Sequence, residues 1–267
     1  MKIQRKHHRF LLHKEVFDQP FNPIVNMCGR YSFYAYQMTP EEFEERFGIP
    51  MPAELQFTPS YNIGPYQQVP VLFSDRSNKR HLGTMFWQLI PSFSKEFKSK
   101  YSMINTRVET FAKKGFWQDL LKTNRCIIPA NNFFEWARVE MKSVNAKTGR
   151  ANKIIRKIPF KFELEDSALM MLGGVYSVWY DSDDKAHFSC SIITTPANQI
   201  VDKVHPRMPF ILDGDSEKVW LDSNFRDLAQ LQSMIKPYPA EGMKYTVVSE
   251  AVNNVRNDYP ELLEPVS

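Results

Sequence analysis

From residue 68 onward the chain keeps interrupting itself. Short runs rich in β-branched and aromatic residues alternate with Pro-, Gly- and Ser/Asn-rich turns. Seven runs have strand length and strand composition: Gln68–Phe73, His81–Leu89, Arg125–Pro129, Ile158–Leu164, Leu169–Tyr180, His187–Thr194 and Tyr245–Val248. Tyr31 to Tyr36 adds an eighth by alternating aromatic and small residues. Few helical stretches lie between them, so the strand–helix rhythm of a doubly wound sheet is absent. The expectation is an α+β fold: one domain around a curled, mostly antiparallel, barrel-like sheet with peripheral helices.

The helix signals are local. Thr39-Pro40-Glu41-Glu42 supplies an N-cap, a proline at the first helical position and an acidic first turn, so a helix is expected to run to Phe47 and stop at Gly48. Phe111 to Leu121 reads as a helix interrupted at Gly115, and Ser216–Leu221 and Phe225–Met234 as further helical patches. No Gly-rich phosphate loop and no internal repeat is visible.

With 267 residues the chain suits one large domain. Residues 1–26 differ in texture, being charged and His-containing, with an amphipathic stretch near 9–17. They are read as a loose N-terminal extension ahead of a domain spanning 27–267. The formal net charge of +4 is unevenly spread. Residues 1–26 hold five basic and two acidic residues, leaving 29 basic and 28 acidic in the remainder. A global basic balance therefore gives no argument for nucleic-acid binding, and any such contact needs a local patch. The interval 138–157 is one candidate, with seven basic residues against Glu140. It reads either as a solvated hairpin loop or as a flap that touches phosphates.

Three cysteines, Cys28, Cys126 and Cys190, show no metal-ligand spacing, which suggests a reducing compartment without disulfides or structural zinc. Cys126 and Cys190 have strand neighbours and read as core. No apolar run reaches membrane-spanning length, and Phe10-Leu11-Leu12 is too short for a signal-peptide core. A cytoplasmic protein is expected.

Four stretches are unusual as loop material: Met27-Cys28-Gly29-Arg30, Ile104-Asn105-Thr106-Arg107-Val108-Glu109-Thr110, Pro129-Ala130-Asn131-Asn132-Phe133-Phe134-Glu135-Trp136 and His205-Pro206-Arg207-Met208-Pro209. Each sets ionisable groups beside aromatics, prolines or a glycine. No local spacing rule makes Cys28, Asn105, Glu135 and His205 one site. In this order, however, the stretches resemble the signature of the SOS-response-associated peptidase family, the SRAP domain. Tyr61-Asn62-Ile63-Gly64-Pro65, Phe86-Trp87-Gln88-Leu89-Ile90-Pro91-Ser92 and Asn253-Asn254-Val255-Arg256-Asn257 resemble three further segments of that family. The likeness covers roughly residues 27–264.

The resemblance implies a protein that attaches itself covalently to abasic sites in single-stranded DNA, as a monomer and with neither metal nor nucleotide cofactor. It matches Cys28 to the nucleophile, Asn105 to an amine-side asparagine, Glu135 to a general acid/base and His205 to the active-site histidine. Arg30 and Arg107 match arginines that hold the DNA backbone. Trp87, Phe93 and Trp136 are expected to stack on or wedge beside bases, and Asn62 is placed with the DNA-binding set. The family's cysteine is a mature N-terminus, whereas Cys28 follows 27 residues. Translation from Met27, self-cleavage of the Met27–Cys28 bond, or a retained extension without crosslinking would each account for that. Gln88, Phe93 and Pro206 are lesser departures from the family pattern. Other readings are a cysteine-dependent autopeptidase, a lyase side activity at the lesion, and a module that binds single strands without a covalent step.

Overall fold

The computed structural model describes residues 29–34, 39–50, 58–113, 115–144, 151–166 and 169–266. Expectations for residues 1–26, for Cys28 and for the end of the Tyr31–Tyr36 run lie outside the described residues.

Five strands close into a barrel: β3 (Gln68–Ser74), β4 (Arg80–Trp87), β6 (Arg125–Ala130), β9 (Met170–Tyr180) and β10 (Ala186–Pro196). The ladder runs β10-β4-β3-β6-β9, and β9 pairs back onto β10. Every pairing in this ring is antiparallel except β4–β10. Closure removes exposed edges, and the interior is filled by residues such as Val71, Met85, Ile127 and Val175. Gly174 lets the layers approach: a Cβ there would lie 2.6 Å from Ile128 Cδ1 and 2.9 Å from the Ser191 carbonyl oxygen.

A second sheet orders β13 (Met243–Val247), β8 (Ala151–Leu164), β7 (Asn132–Val144), β1 (Tyr31–Phe33) and β2 (Ser60–Ile63). β6 belongs to the barrel and β7 to this sheet, so the chain crosses between them at Asn131. Its amide donates to the Ser32 carbonyl, and its side-chain oxygen accepts from the Tyr34 amide. That crossing makes a seam between the two sheets.

The first helix, α1 (Pro40–Phe47), is capped as its sequence predicts. Thr39 and Glu42 exchange side-chain-to-backbone hydrogen bonds, and Gly48 adopts φ 67° while its amide caps Glu44. Gly115, with φ 91°, separates a 3-10 turn (Val108–Ala112) from α2 (Phe116–Thr123). The other helices are α3 (Gly214–Leu221) and α4 (Leu228–Met234). Arg125 ties their ends together, donating to the carbonyls of Leu121, Lys122, Trp220, Asp222 and Phe225. Burial brings its guanidinium down to about 10.

Two features differ from expectation. Residues 138–144 and 151–157 are strand: β7 and β8 form a long ladder that extends to Val144 opposite Ala151. The chain also contains a local repeat. The β3–β4 and β9–β10 turns run from Asp75 to His81 and from Asp181 to His187, each with an aspartate–histidine bond of 2.7 Å and a positive φ at Asn78 or Asp184.

Candidate active site

At the seam, strand alternation puts a carboxylate on an inner face. Phe133, Glu135, Ala137 and Val139 share one side of β7 and are all buried, so Glu135 occupies a core position at 2% exposure. A charge is not buried there without compensation. His205 precedes β11 (Arg207–Pro209), and its Nδ1 lies 3.8 Å from Glu135 Oε1. The same Nδ1 is 3.2 Å from both the Arg207 amide and the Arg207 carbonyl oxygen. An unprotonated Nδ1 accepts from the amide, and a protonated one turns to the carbonyl or to Glu135. Either protonation state has a partner.

The cationic surroundings come from three elements. The C-terminal half of β10 pairs in parallel with β5 (Asn105–Arg107) and antiparallel with β11, so Arg107 and Arg207 flank it. Asn105 and Arg107 share a face of β5, and Arg107 is exposed. Arg207 is clamped by both Glu109 oxygens at 2.6 and 3.1 Å and by the Thr194 carbonyl at 2.6 Å. Burial, first of all, lowers the His205 pKa from the ordinary histidine value; Arg207, Arg107 and Arg138 lower it further, against the Arg207 backbone bond. At neutral pH the imidazole is therefore a neutral base.

A second wall is built by the segment after β13. Asn62 donates through its amide to the carbonyls of Val252, Asn254 and Asn257 and accepts from Arg30 Nη1 at 2.7 Å. Arg30 also donates to the Val252 carbonyl and lies 5.8 Å from the Trp136 ring centroid; burial lowers its pKa. Trp136 donates to Asn253 Oδ1. In the β1–β7 register Tyr31 faces Phe133, and the Phe134 amide donates to the Arg30 carbonyl. Continuing that register brings Gly29 level with Glu135.

A family model described as SOS response associated peptidase (SRAP) matches residues 27–255. The chain belongs to this family. A protein named abasic site processing protein YoqW, from Bacillus subtilis, is 37% identical over 243 residues, covering 89% of this chain and 99% of its own. The abasic site processing protein HMCES of Gallus gallus is 34% identical over 238 residues, covering 80% and 68%. The crystal structure of a protein from Bacteroides thetaiotaomicron superimposes with TM-score 0.70 at 22% identity, covering 90% of this chain and all of that one. That likeness shows the fold.

Within the SRAP chain, the geometry sorts the residues expected from sequence. Glu135 and His205 meet, and Arg107 acts on the histidine. Arg30 and Trp136 stand together on the wall. Phe93 is 72% exposed and makes a T-shaped contact with Phe116. Two expected DNA contacts face inward instead. Trp87 is 1% exposed, bonded to the Ile104 carbonyl and packed edge-on against Tyr31, so it offers no surface to a base. Asn62 is equally buried, and its amide is taken up by the 252–257 segment. Gln88 has a structural use, bridging the Tyr101 carbonyl and the Met103 amide. Sequence reasoning passed over Arg207 and Glu109, although both stood inside named motifs, and Arg138, which was only one charge in a basic interval. Among the described residues no cluster of three or more His, Cys, Asp or Glu side chains could hold a metal ion, and no helix is long and apolar enough to cross a membrane.

Proposed function

We propose that this chain processes abasic sites in single-stranded DNA by forming a thiazolidine through Cys28, which shields the lesion. The observation that carries the reading is the buried Glu135 side chain 3.8 Å from the His205 imidazole, in a seam bordered by arginines. Relatives named for abasic site processing support the choice of substrate.

An abasic deoxyribose opens to an aldehyde at C1′. A free α-amine has a pKa of about 7.7–8, so a useful fraction is unprotonated near neutrality. The amine nitrogen adds to the aldehyde carbon, and loss of one water gives the imine. The thiol sulfur then adds to the imine carbon while its proton passes to nitrogen, closing a five-membered ring. Both nucleophiles sit on one residue, which makes closure a proximity effect. No oxidant or cofactor enters the balance.

Glu135 serves as general acid/base, protonating the sugar-ring oxygen during opening and assisting departure of the water. His205 shares the proton, as its Nδ1 is served in either state. Asn105 orients the amine. Arg107 and Arg30 act on the phosphates, with Phe93 and Trp136 beside the bases. Gly29, to which Cys28 is joined by a peptide bond, stands level with Glu135 in the extended register, which favours Cys28 as the partner of this carboxylate. The same imine permits β-elimination, a lyase side reaction.

Every step needs a free amine at Cys28, so the Met27–Cys28 bond must be absent or cut first. Intact-mass spectrometry before and after incubation with abasic single-stranded DNA tests this. A mass beginning at Cys28, gaining the oligonucleotide less one water and lost in Cys28→Ala, is the expected result. Cleavage at Met27–Cys28 without any adduct would favour an autopeptidase and sink the crosslinking reading.

A further inference from the structure

The β7–β8 hairpin has a consequence for charge. Residues 138–157 carry seven positive charges and one negative, +6 in sum, so the remaining chain holds −2 of the total +4. From Ala137 opposite Ile158 to Val144 opposite Ala151, eight residue pairs form the outer part of this ladder. Among the described residues, β1 and β13 pair only with the inner part, at Asn132–Phe133 and Phe160–Leu164. The outer part is a two-stranded ribbon roughly 24 Å long. Its root is the Glu135–Phe160 pair, so it projects from the candidate site.

Register assigns the charges to one face. Arg138 lies opposite Lys157, and Lys142 opposite Lys153; four positions apart, these pairs share the face that starts at Trp136. Like charges directly opposite destabilise a ladder, and an isolated two-stranded hairpin is marginal to begin with. Between the two rows Glu140 faces Ile155, and Ile155 is 61% exposed. Arg138 and Lys157, with the Lys142 and Lys153 positions beyond them and Glu140 and Ile155 between, leave the face net positive, which suits a polyanion that also carries flat apolar groups. The root of the face is close enough to the site for Arg138 to depress the His205 pKa.

We infer that this face of the ribbon is a second contact surface for the lesion-bearing DNA strand, following its phosphates for several nucleotides beyond those held at Glu135 and His205. The inference rests on the proposed function for its occupant and adds a footprint to it. The ribbon neutralises phosphates and supplies affinity, whereas the seam supplies chemistry.

The test compares the parent with the triple variant Lys142→Gln, Lys153→Gln, Lys157→Gln. Binding to abasic single strands is measured against salt, with a probe of about 5 nucleotides and with probes of about 20 nucleotides extended on the 5′ or the 3′ side. On one extended probe the variant's slope of log K against log salt should be shallower by about 2, at about 0.7 for each phosphate left without its lysine. On the short probe, affinity and adduct yield should equal the parent's, which also shows that the variant is folded. Equal slopes on every extended probe would overturn the inference. Should the parent form no adduct at all, the crosslinking reading fails, while the slopes still decide the ribbon's role.

Discussion

Among the described residues there are three histidine–carboxylate pairs, and they fall into two kinds. His81–Asp75 and His187–Asp181 sit in hairpin turns at 2.7 Å, where the aspartates also accept turn amides: Ser77 and Lys79 in one case, Asp183 and Lys185 in the other. The Ser77 and His81 side chains hold the Asp75 carboxyl far below the usual carboxylate range, and His187 holds Asp181 below it. His205–Glu135 is looser at 3.8 Å, more deeply buried, and faces arginines instead of turn amides. A tight pair with every lone pair satisfied is a clasp. A loose pair whose histidine has a partner in either protonation state can pass a proton. The functional groups, an imidazole and a carboxyl, are the same in both; the surroundings decide.

The comparison would break first at Glu135. Glu135→Gln keeps the shape and removes the proton carrier, so crosslinking to abasic single-stranded DNA should slow by about 10²–10⁴-fold. The melting temperature should change little, because the amide fills the same volume. An unchanged rate with a lowered melting temperature would make this pair a clasp like the others.

The next effect is on pH. Burial and three arginines lower the folded-state pKa of His205, so the neutral form persists below the ordinary histidine range. Crosslinking rate per unprotonated Cys28 α-amine, whose own pKa is about 7.7–8, should therefore hold as pH falls through about 6.5 and decline only below it. Stability follows the same sign: it is fully present above the unfolded pKa and is lost as pH falls through the folded one. Arg138→Gln removes one depressing charge and should move the acid limb of the rate profile upward. A limb that stays in place would take Arg138 out of the histidine's surroundings.

Smallest of all should be the effects at the turns. Asp75→Asn and Asp181→Asn should leave crosslinking unchanged and lower the melting temperature slightly at neutral pH. Each depressed carboxyl stabilises above its unfolded pKa, so the difference from the parent should close as pH falls below the carboxylate range. Loss of crosslinking in either variant would show that the two kinds of pair are coupled.

Much of this architecture was legible because local chemistry and tertiary demand agree. Thr39, Pro40, Glu42 and Gly48 each state a boundary of α1, and the barrel strands carry continuous apolar runs. β7 was missed for the opposite reason. Glu135 interrupts its inward-facing row, and Phe134, on the other face, is buried as well, so no polar–apolar alternation marks the strand. β2 and β5 have four and three residues, too few to show a pattern. In the site, motif order pointed to Glu135 and His205, which do meet. Trp87 and Asn62 misled because an indole or an amide serves a core as readily as a ligand, and only burial tells the two apart. The repeated Asp–His turn is legible in hindsight, but two copies of seven residues fall below any period that signals a repeat architecture.

The bonds from Asn62 to the 252–257 segment cross 190 to 195 positions of sequence. Contacts of that span form late, since the loop they close must first exist and then be ordered. During synthesis β1 and β2 emerge early and wait for nearly the whole remaining chain before Asn62 and Arg30 find their partners. A ribosome-bound chain therefore holds the barrel's first hairpin long before it holds this wall of the site. Assembly of the wall is thereby deferred until translation has passed Asn257, so a half-made protein carries the seam without one of its sides.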